Sequence, residues 1–203
     1  MAKIKSTNEL SLIYAQATKE IIEANTNSKI SFSKTLLKIP QVYLKPDIGC
    51  FVELSGDLEG LVIMNFSKEA ALEIYKKYML MIGMPEDEIT DNYASNDVTD
   101  SIGEIVNQIA GKARQEIEKK FNITIKNNQP KAIQISSSIM MSISADIIRP
   151  QCRRISFKTE EQNPFYAEIS LEHVEFLPMG MEEEEVEEEL DIDKLIEMTK
   201  MEE

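Results

Sequence analysis

Asp100-Ser101-Ile102-Gly103-Glu104-Ile105-Val106-Asn107-Gln108-Ile109-Ala110-Gly111 reads as the first half of one long helix, predicted over about 97–121 with Asn96 or Asp97 as its cap. Each helical residue turns the chain by about 100°. Ile102, Val106, Ile109, Ala113 and Ile117 then share one face and form a core-facing stripe. Asp100, Glu104, Asn107 and Gly111 share the opposite face, spaced by four, three and four. A polar stripe of this kind is usually no more than the wet side of an amphipathic helix. Two details set this one apart. Gly103 and Gly111 each cost about 1 kcal/mol against alanine in a helix interior, and they leave room for another molecule's backbone to approach. Asn107 is a poor helix former with no capping role at mid-helix.

Outward from this helix, the chain divides into two similar series of elements. The first has a helix over about 8–24 with apolar residues at Leu10, Ile13, Ala17 and Ile21, and Thr7 or Asn8 as cap. An extended stretch over 30–39 follows. A hairpin then pairs 50–55 with 60–66 around Gly56-Asp57-Leu58-Glu59. The second series starts with the 97–121 helix and continues through short strands near 123–125, 132–135 and 140–145. It ends in a hairpin of 153–158 with 165–174. Between the two lies a helix capped by Ser67, running to about residue 81 and stopped by Gly83-Met84-Pro85, then a polar stretch over 86–96. The expected fold is α+β: an antiparallel β-sheet with two long helices packed on it, in pseudo-duplicated helix–strand–hairpin halves.

Charge is unevenly spread. The net charge is −14, of which −10 lies in residues 181–203, so the remainder carries only −4. The predicted organisation is therefore one domain over 1–180 and an acidic tail over 181–203. In that tail Leu190, Ile192, Leu195, Ile196 and Met198 trace a short amphipathic pattern. No basic stripe is present, which argues against nucleic acid. The longest apolar stretches are far too short to span a bilayer, and the N-terminus does not read as a signal peptide; a cytoplasmic protein is expected. Cys50 and Cys152 are isolated and read as buried, reduced thiols. The single His173 cannot build a zinc site or a catalytic triad, so no metal site is expected. Met79, Met81, Met84, Met140, Met141 and Met179 read as core filler.

The spacing Asp100-x3-Glu104-x2-Asn107 resembles the Asp/Ser-x3-Glu-x2-Asn signature of the CheC, CheX and FliY phosphatases. The text from Ser101 to Gly111 is similar to the second long helix of CheX. Leu54-Ser55-Gly56-Asp57-Leu58-Glu59-Gly60-Leu61-Val62 resembles that family's hairpin, and Pro130-Lys131-Ala132 falls where it has a proline-led strand. The resemblance covers about residues 8–175 and implies a CheC-like fold. It implies Glu104 and Asn107 as the catalytic pair, with Asp100, Gly103 and Gly111 as supporting motif positions. The first helix has no Glu-x2-Asn, so a single site of the CheX kind is implied rather than the two of CheC.

The implied activity is hydrolysis of the aspartyl phosphate of a CheY-like response regulator, in chemotaxis or related two-component signalling. Such an anhydride is already reactive, so placing a water in line behind phosphorus suffices. Asn107 can orient that water without ionising. Glu104 would pair with the regulator's lysine. No cofactor of the chain's own is expected, the Mg2+ belonging to the regulator. A homodimer is also implied, with an exposed strand edge at 165–174 as the candidate contact. The alternative is a non-catalytic CheX-like binding module or adaptor for a phosphorylated receiver domain.

Overall fold

A computed structural model describes residues 6–141 and 150–172. Three helices lie on a predominantly antiparallel sheet. They are α1 (Ser6–Thr26), α2 (Lys68–Met81) and α3 (Asn96–Phe121). The strands are β1 (Ser31–Phe32), β2 (Leu37–Ile39), β3 (Val42–Leu44), β4 (Ile48–Gly56), β5 (Gly60–Phe66), β6 (Ile125–Asn127), β7 (Lys131–Gln134), β8 (Ile139–Met141), β9 (Gln151–Lys158) and β10 (Pro164–Leu171).

The sheet order is β1-β9-β10-β5-β4-β6, with β2 also on β9 and β7 also on β4. The two hairpins, β4–β5 and β9–β10, meet along β5 and β10, paired from Phe66↔Phe165 to Gly60↔Leu171. The flanks are exchanged. β1 and β2, from the first half, line β9, while β6 and β7, from the second half, line β4. A separate two-stranded sheet likewise joins β3 to β8. The duplicated element order is therefore real, and the two halves are interlocked rather than placed side by side.

This topology corrects the expectation of an exposed edge at 165–174. β10 is an interior strand, hydrogen-bonded on one side to β5 and on the other to β9, so pairing with a second copy along it is ruled out. Residues 173 onward, including His173 and the acidic tail, lie outside the described residues. Other corrections are local. The strand expected over 30–39 breaks into β1 and β2, where Leu36-Leu37 spoils the alternation. Ser95, not Asn96 or Asp97, caps α3: its hydroxyl accepts from the Val98 N–H at 3.4 Å. Thr7 and Asn8 lie within α1 rather than before it. Met81 and Met140 are 54% and 57% exposed, so neither fills the core.

The main core lies between the helices and one sheet face. Phe66, Phe165 and Phe157 stack across β5, β10 and β9, with ring centroids 5.2 and 4.9 Å apart. Burying each ring contributes about 1.5–3 kcal/mol, and each stacked pair adds roughly 0.5–1.5 kcal/mol. α2 is tied to the β9–β10 turn by the buried Glu73 carboxylate. That group accepts from Thr159, Asn163 at 2.9 Å, Lys77 at 2.9 Å and the Glu161 N–H at 3.3 Å. On the opposite sheet face β3 and β8 cover a smaller apolar cluster of Val42, Leu44, Leu61, Ile63, Ile135 and Cys152. Two polar groups dock β3 there. Glu168, fully buried on β10, accepts from Tyr43 N–H at 2.8 Å, Lys45 at 2.7 Å and Arg154 at 2.7 Å. Asn65 accepts from the Lys45 N–H and donates to the Tyr43 carbonyl.

Candidate functional site

α3 packs against α1, α2, β6 and β7, which explains why its buried surface is wider than one stripe. Ile102, Val106, Ile109, Ala113 and Ile117 all face the core, joined by Ile105 and Ala110 on its flanks. What remains to solvent is narrow. Asp100 and Glu104 are exposed, and Asn107 and Gly111 are half-buried beside them. Residues three and four apart on a helix bring their Cβ atoms to about 5–6 Å, so Glu104 and Asn107 present their polar ends to one small area.

The two glycines differ. A methyl group on Gly103 would sit 3.5 Å from the Ala132 backbone nitrogen and 3.9 Å from its Cβ. The approaching backbone at Gly103 is thus the chain's own β7, not another molecule's. A methyl group on Gly111 would meet nothing within 4 Å. Gly111 lies open at the end of the polar stripe, as the spacing anticipates.

The polar ends are held unequally. Among the described residues the Asn107 amide has no hydrogen-bond partner, so both its donor and acceptor functions are free. Glu104 Oε1 receives a long 3.5 Å contact from Gln108 Nε2, and Gln108 Oε1 accepts from Asn25 Nδ2 at 2.7 Å. Gln108 and Asn25 were not singled out from the sequence. The four-residue spacing of Glu104 and Gln108 was a legible signal. Nothing local marks Asn25, which the packing of α1 on α3 brings in from 83 residues away.

The stretch leading into this part of α3 is rich in carboxylates. Residues 86–104 contain Glu86, Asp87, Glu88, Asp91, Asp97, Asp100 and Glu104 and no Lys or Arg. Among the described residues no three His, Cys, Asp or Glu side chains are grouped to hold a metal ion. No described helix is long and apolar enough to cross a membrane. Cys50 and Cys152 are buried free thiols. Burial pushes the Cys50 thiol up to about 12, against a smaller opposing effect of the Phe51 backbone.

A family description covers the whole chain, residues 1–203. The chain belongs to the family "Protein of unknown function (DUF3334)". No curated relative matches it by sequence. Solved structures do match. The chemotaxis protein CheX from Desulfovibrio desulfuricans is 22% identical, covering 81% of this chain and 99% of that one with a TM-score of 0.66. CheX from Vibrio vulnificus is 15% identical over 81% and 99%, with a TM-score of 0.64. The CheX–CheY–BeF3–Mg2+ complex from Borrelia burgdorferi matches at 16% identity over 78% and 95%, with a TM-score of 0.57. The fold of this DUF3334 chain is therefore the CheX/CheC-like fold, as the residues around Glu104 and Asn107 implied.

Proposed function

We propose that this chain is a phosphatase that hydrolyses the aspartyl phosphate of a CheY-like response regulator in the cytoplasm. The observation that carries the reading is the exposed Glu104 beside the unpartnered amide of Asn107, on the one α3 face left open by packing. The fold likeness to CheX structures, one of them solved with CheY, supports it.

In the proposed reaction a water attacks phosphorus in line. The bond from phosphorus to the aspartyl oxygen breaks, the aspartate carboxylate leaves, and inorganic phosphate departs with the proton released to solvent. The Asn107 amide accepts from one water hydrogen through Oδ1 and aims the lone pair at phosphorus. Glu104 pairs with the regulator's active-site lysine and so docks α3 over the phosphoryl group. The Mg2+ is the regulator's own. Positioning and electrostatics supply most of the catalysis in phosphoryl transfer, so one aligned amide is chemically sufficient.

The test is release of phosphate from each phosphorylated receiver domain of the source genome, with and without the protein. Asn107→Ala is expected to slow the susceptible receiver's turnover by roughly 10²- to 10³-fold with little change in its binding. Normal turnover by Asn107→Ala removes the mechanism. Tight binding with no acceleration by the unaltered protein makes it an adaptor instead.

A further inference from the structure

The stretches that build the β1–β2 side of the sheet are basic, in contrast to the acidic stretch over 86–104. Residues 27–45 contain Lys29, Lys34, Lys38 and Lys45, and residues 150–158 contain Arg153, Arg154 and Lys158, with no Asp or Glu in either stretch. Arg153 is buried and bonded to Asn8, and Lys45 and Arg154 share Glu168. Lys34 and Lys158 are exposed, and among the described residues neither has a carboxylate partner; Lys38, opposite Arg153 in the β2–β9 register, faces the helix side. The nearest acidic groups in sequence, Glu160 and Glu161, face Lys77.

A groove of about 280 Å³ opens beside Lys158, lined by that lysine, Phe32, Phe157, Pro164, Tyr166 and three serines, with Lys34 next in sequence to one of them, Ser33. Phe157 and Phe165 point into the helix-side core. Their alternating neighbours Ser156, Lys158 and Tyr166 therefore face away from the helices. Leu37 adds an apolar side chain, 51% exposed, on the adjoining strand. Lys45 and Arg154 lie 5.8 and 5.6 Å from the Tyr166 ring centre. The surface suits a segment with dense negative charge next to a few aliphatic side chains.

The chain's own tail has that composition. Residues 182–189 carry seven glutamates and no base, and Leu190, Ile192, Leu195 and Ile196 follow at once. The tail leaves from the end of β10, and the groove lies at that strand's start, eight residues back. That separation is about 24 Å. About 14 residues separate Leu171 from the middle of the glutamate run, and a random-coil tether of that length spans about 20 Å on average. A tether of matching length raises the effective concentration to the millimolar range. We infer that residues 182–196 dock intramolecularly in the Phe32–Tyr166 groove, the glutamates on Lys34 and Lys158 and the aliphatic residues against the aromatic lining. Docking there covers the broken edge formed by β1 and β2, which otherwise presents unpaired backbone groups. It leaves the α3 face open, so the inference does not depend on the proposed activity.

Zero-length carbodiimide cross-linking of the full chain, read by mass spectrometry, tests it. Links from Glu182–Glu189 should fall on Lys34 and Lys158 rather than on the exposed Lys119, Lys126 and Lys131. They should remain isotopically unmixed when light and heavy chains are combined before reaction. In 1 M salt, where the screening length falls to about 3 Å, they should drop several-fold. The double variant Lys34→Glu, Lys158→Glu should lose most of them. Replacing the seven glutamates by glutamine in the full chain should speed amide exchange in residues 31–39. Links spread evenly over all lysines, links indifferent to charge reversal, or unchanged amide exchange would overturn the inference. Mixed-isotope links would overturn its intramolecular form and assign the groove to a second copy's tail.

Discussion

Gly111→Ala separates what the fold needs at α3 from what a partner needs there. The perturbation is one methyl group on a helical residue that does not require positive φ, with no atom within 4 Å of the new carbon. Nothing has to move. The substitution removes backbone freedom from the unfolded chain and gains helix propensity, together worth about 0.5–1 kcal/mol. For a chain of this size that raises Tm by roughly 1–4 °C. Urea and thermal unfolding of the variant and the unaltered protein measure it, and the slope of the urea transition should stay the same. A neighbour that needs the space is a different matter. Gly111 ends the stripe of Asp100, Glu104 and Asn107, so on the proposed reading the new methyl group meets the regulator. Turnover at limiting regulator should fall roughly five- to tenfold while the fold becomes more stable. A destabilised Gly111→Ala refutes the claim that the position is open. A stabilised variant with unchanged turnover removes Gly111 from the docking area.

Glu104→Gln should weaken binding of the phosphorylated regulator by about 1–3 kcal/mol, with the loss shrinking at high salt; a lower maximal rate at unchanged affinity would instead indicate a chemical role. Glu73→Ala leaves the donors of Thr159 and Asn163 buried without their acceptor, while Lys77 keeps Glu160. The expected cost is about 3 kcal/mol, a fall in Tm of roughly 6–12 °C. Burial alone would push the Glu73 carboxyl up, but its hydrogen bonds from Thr159, Lys77, Asn163 and the Glu161 N–H hold it below its ordinary value. Its stabilisation is therefore complete above the unfolded value and lost as pH falls through the folded one. The gap between the two proteins should narrow in acid urea titrations, and a gap that widens contradicts the sign. Cys50 should resist alkylation at pH 8 in the folded protein and react only on unfolding, given a buried thiol pushed up to about 12.

Much of the architecture was legible because it is local. The α3 periodicity and both hairpins follow from contacts within a dozen or so residues, as do the Ser67 cap and the stop at Gly83. The exchange of flanks was not legible. β1, β2, β6 and β7 are two to four residues long and carry too little alternation to name their partners. Those pairings are decided by which hairpin edge stays uncovered once β5 and β10 have met. The same long-range pairing turns 165–174 from a plausible edge into an interior strand. At the site, Glu104 and Asn107 were found by spacing. Gly103 was misread because its neighbour, Ala132 of β7, lies 29 residues beyond it in another element and only packing brings them together.

The interlocked sheet also sets an order of events during synthesis. β5 is made early, but the strand that covers its free side, β10, begins about 98 residues later. At translation rates of about 5–20 residues per second, the β4–β5 hairpin waits roughly 5–20 s on the ribosome with its Val62–Phe66 edge unpaired. For that interval the nascent hairpin presents an apolar strand edge to the crowded surroundings, and the ribosome surface or a chaperone is what stands beside it until β10 emerges.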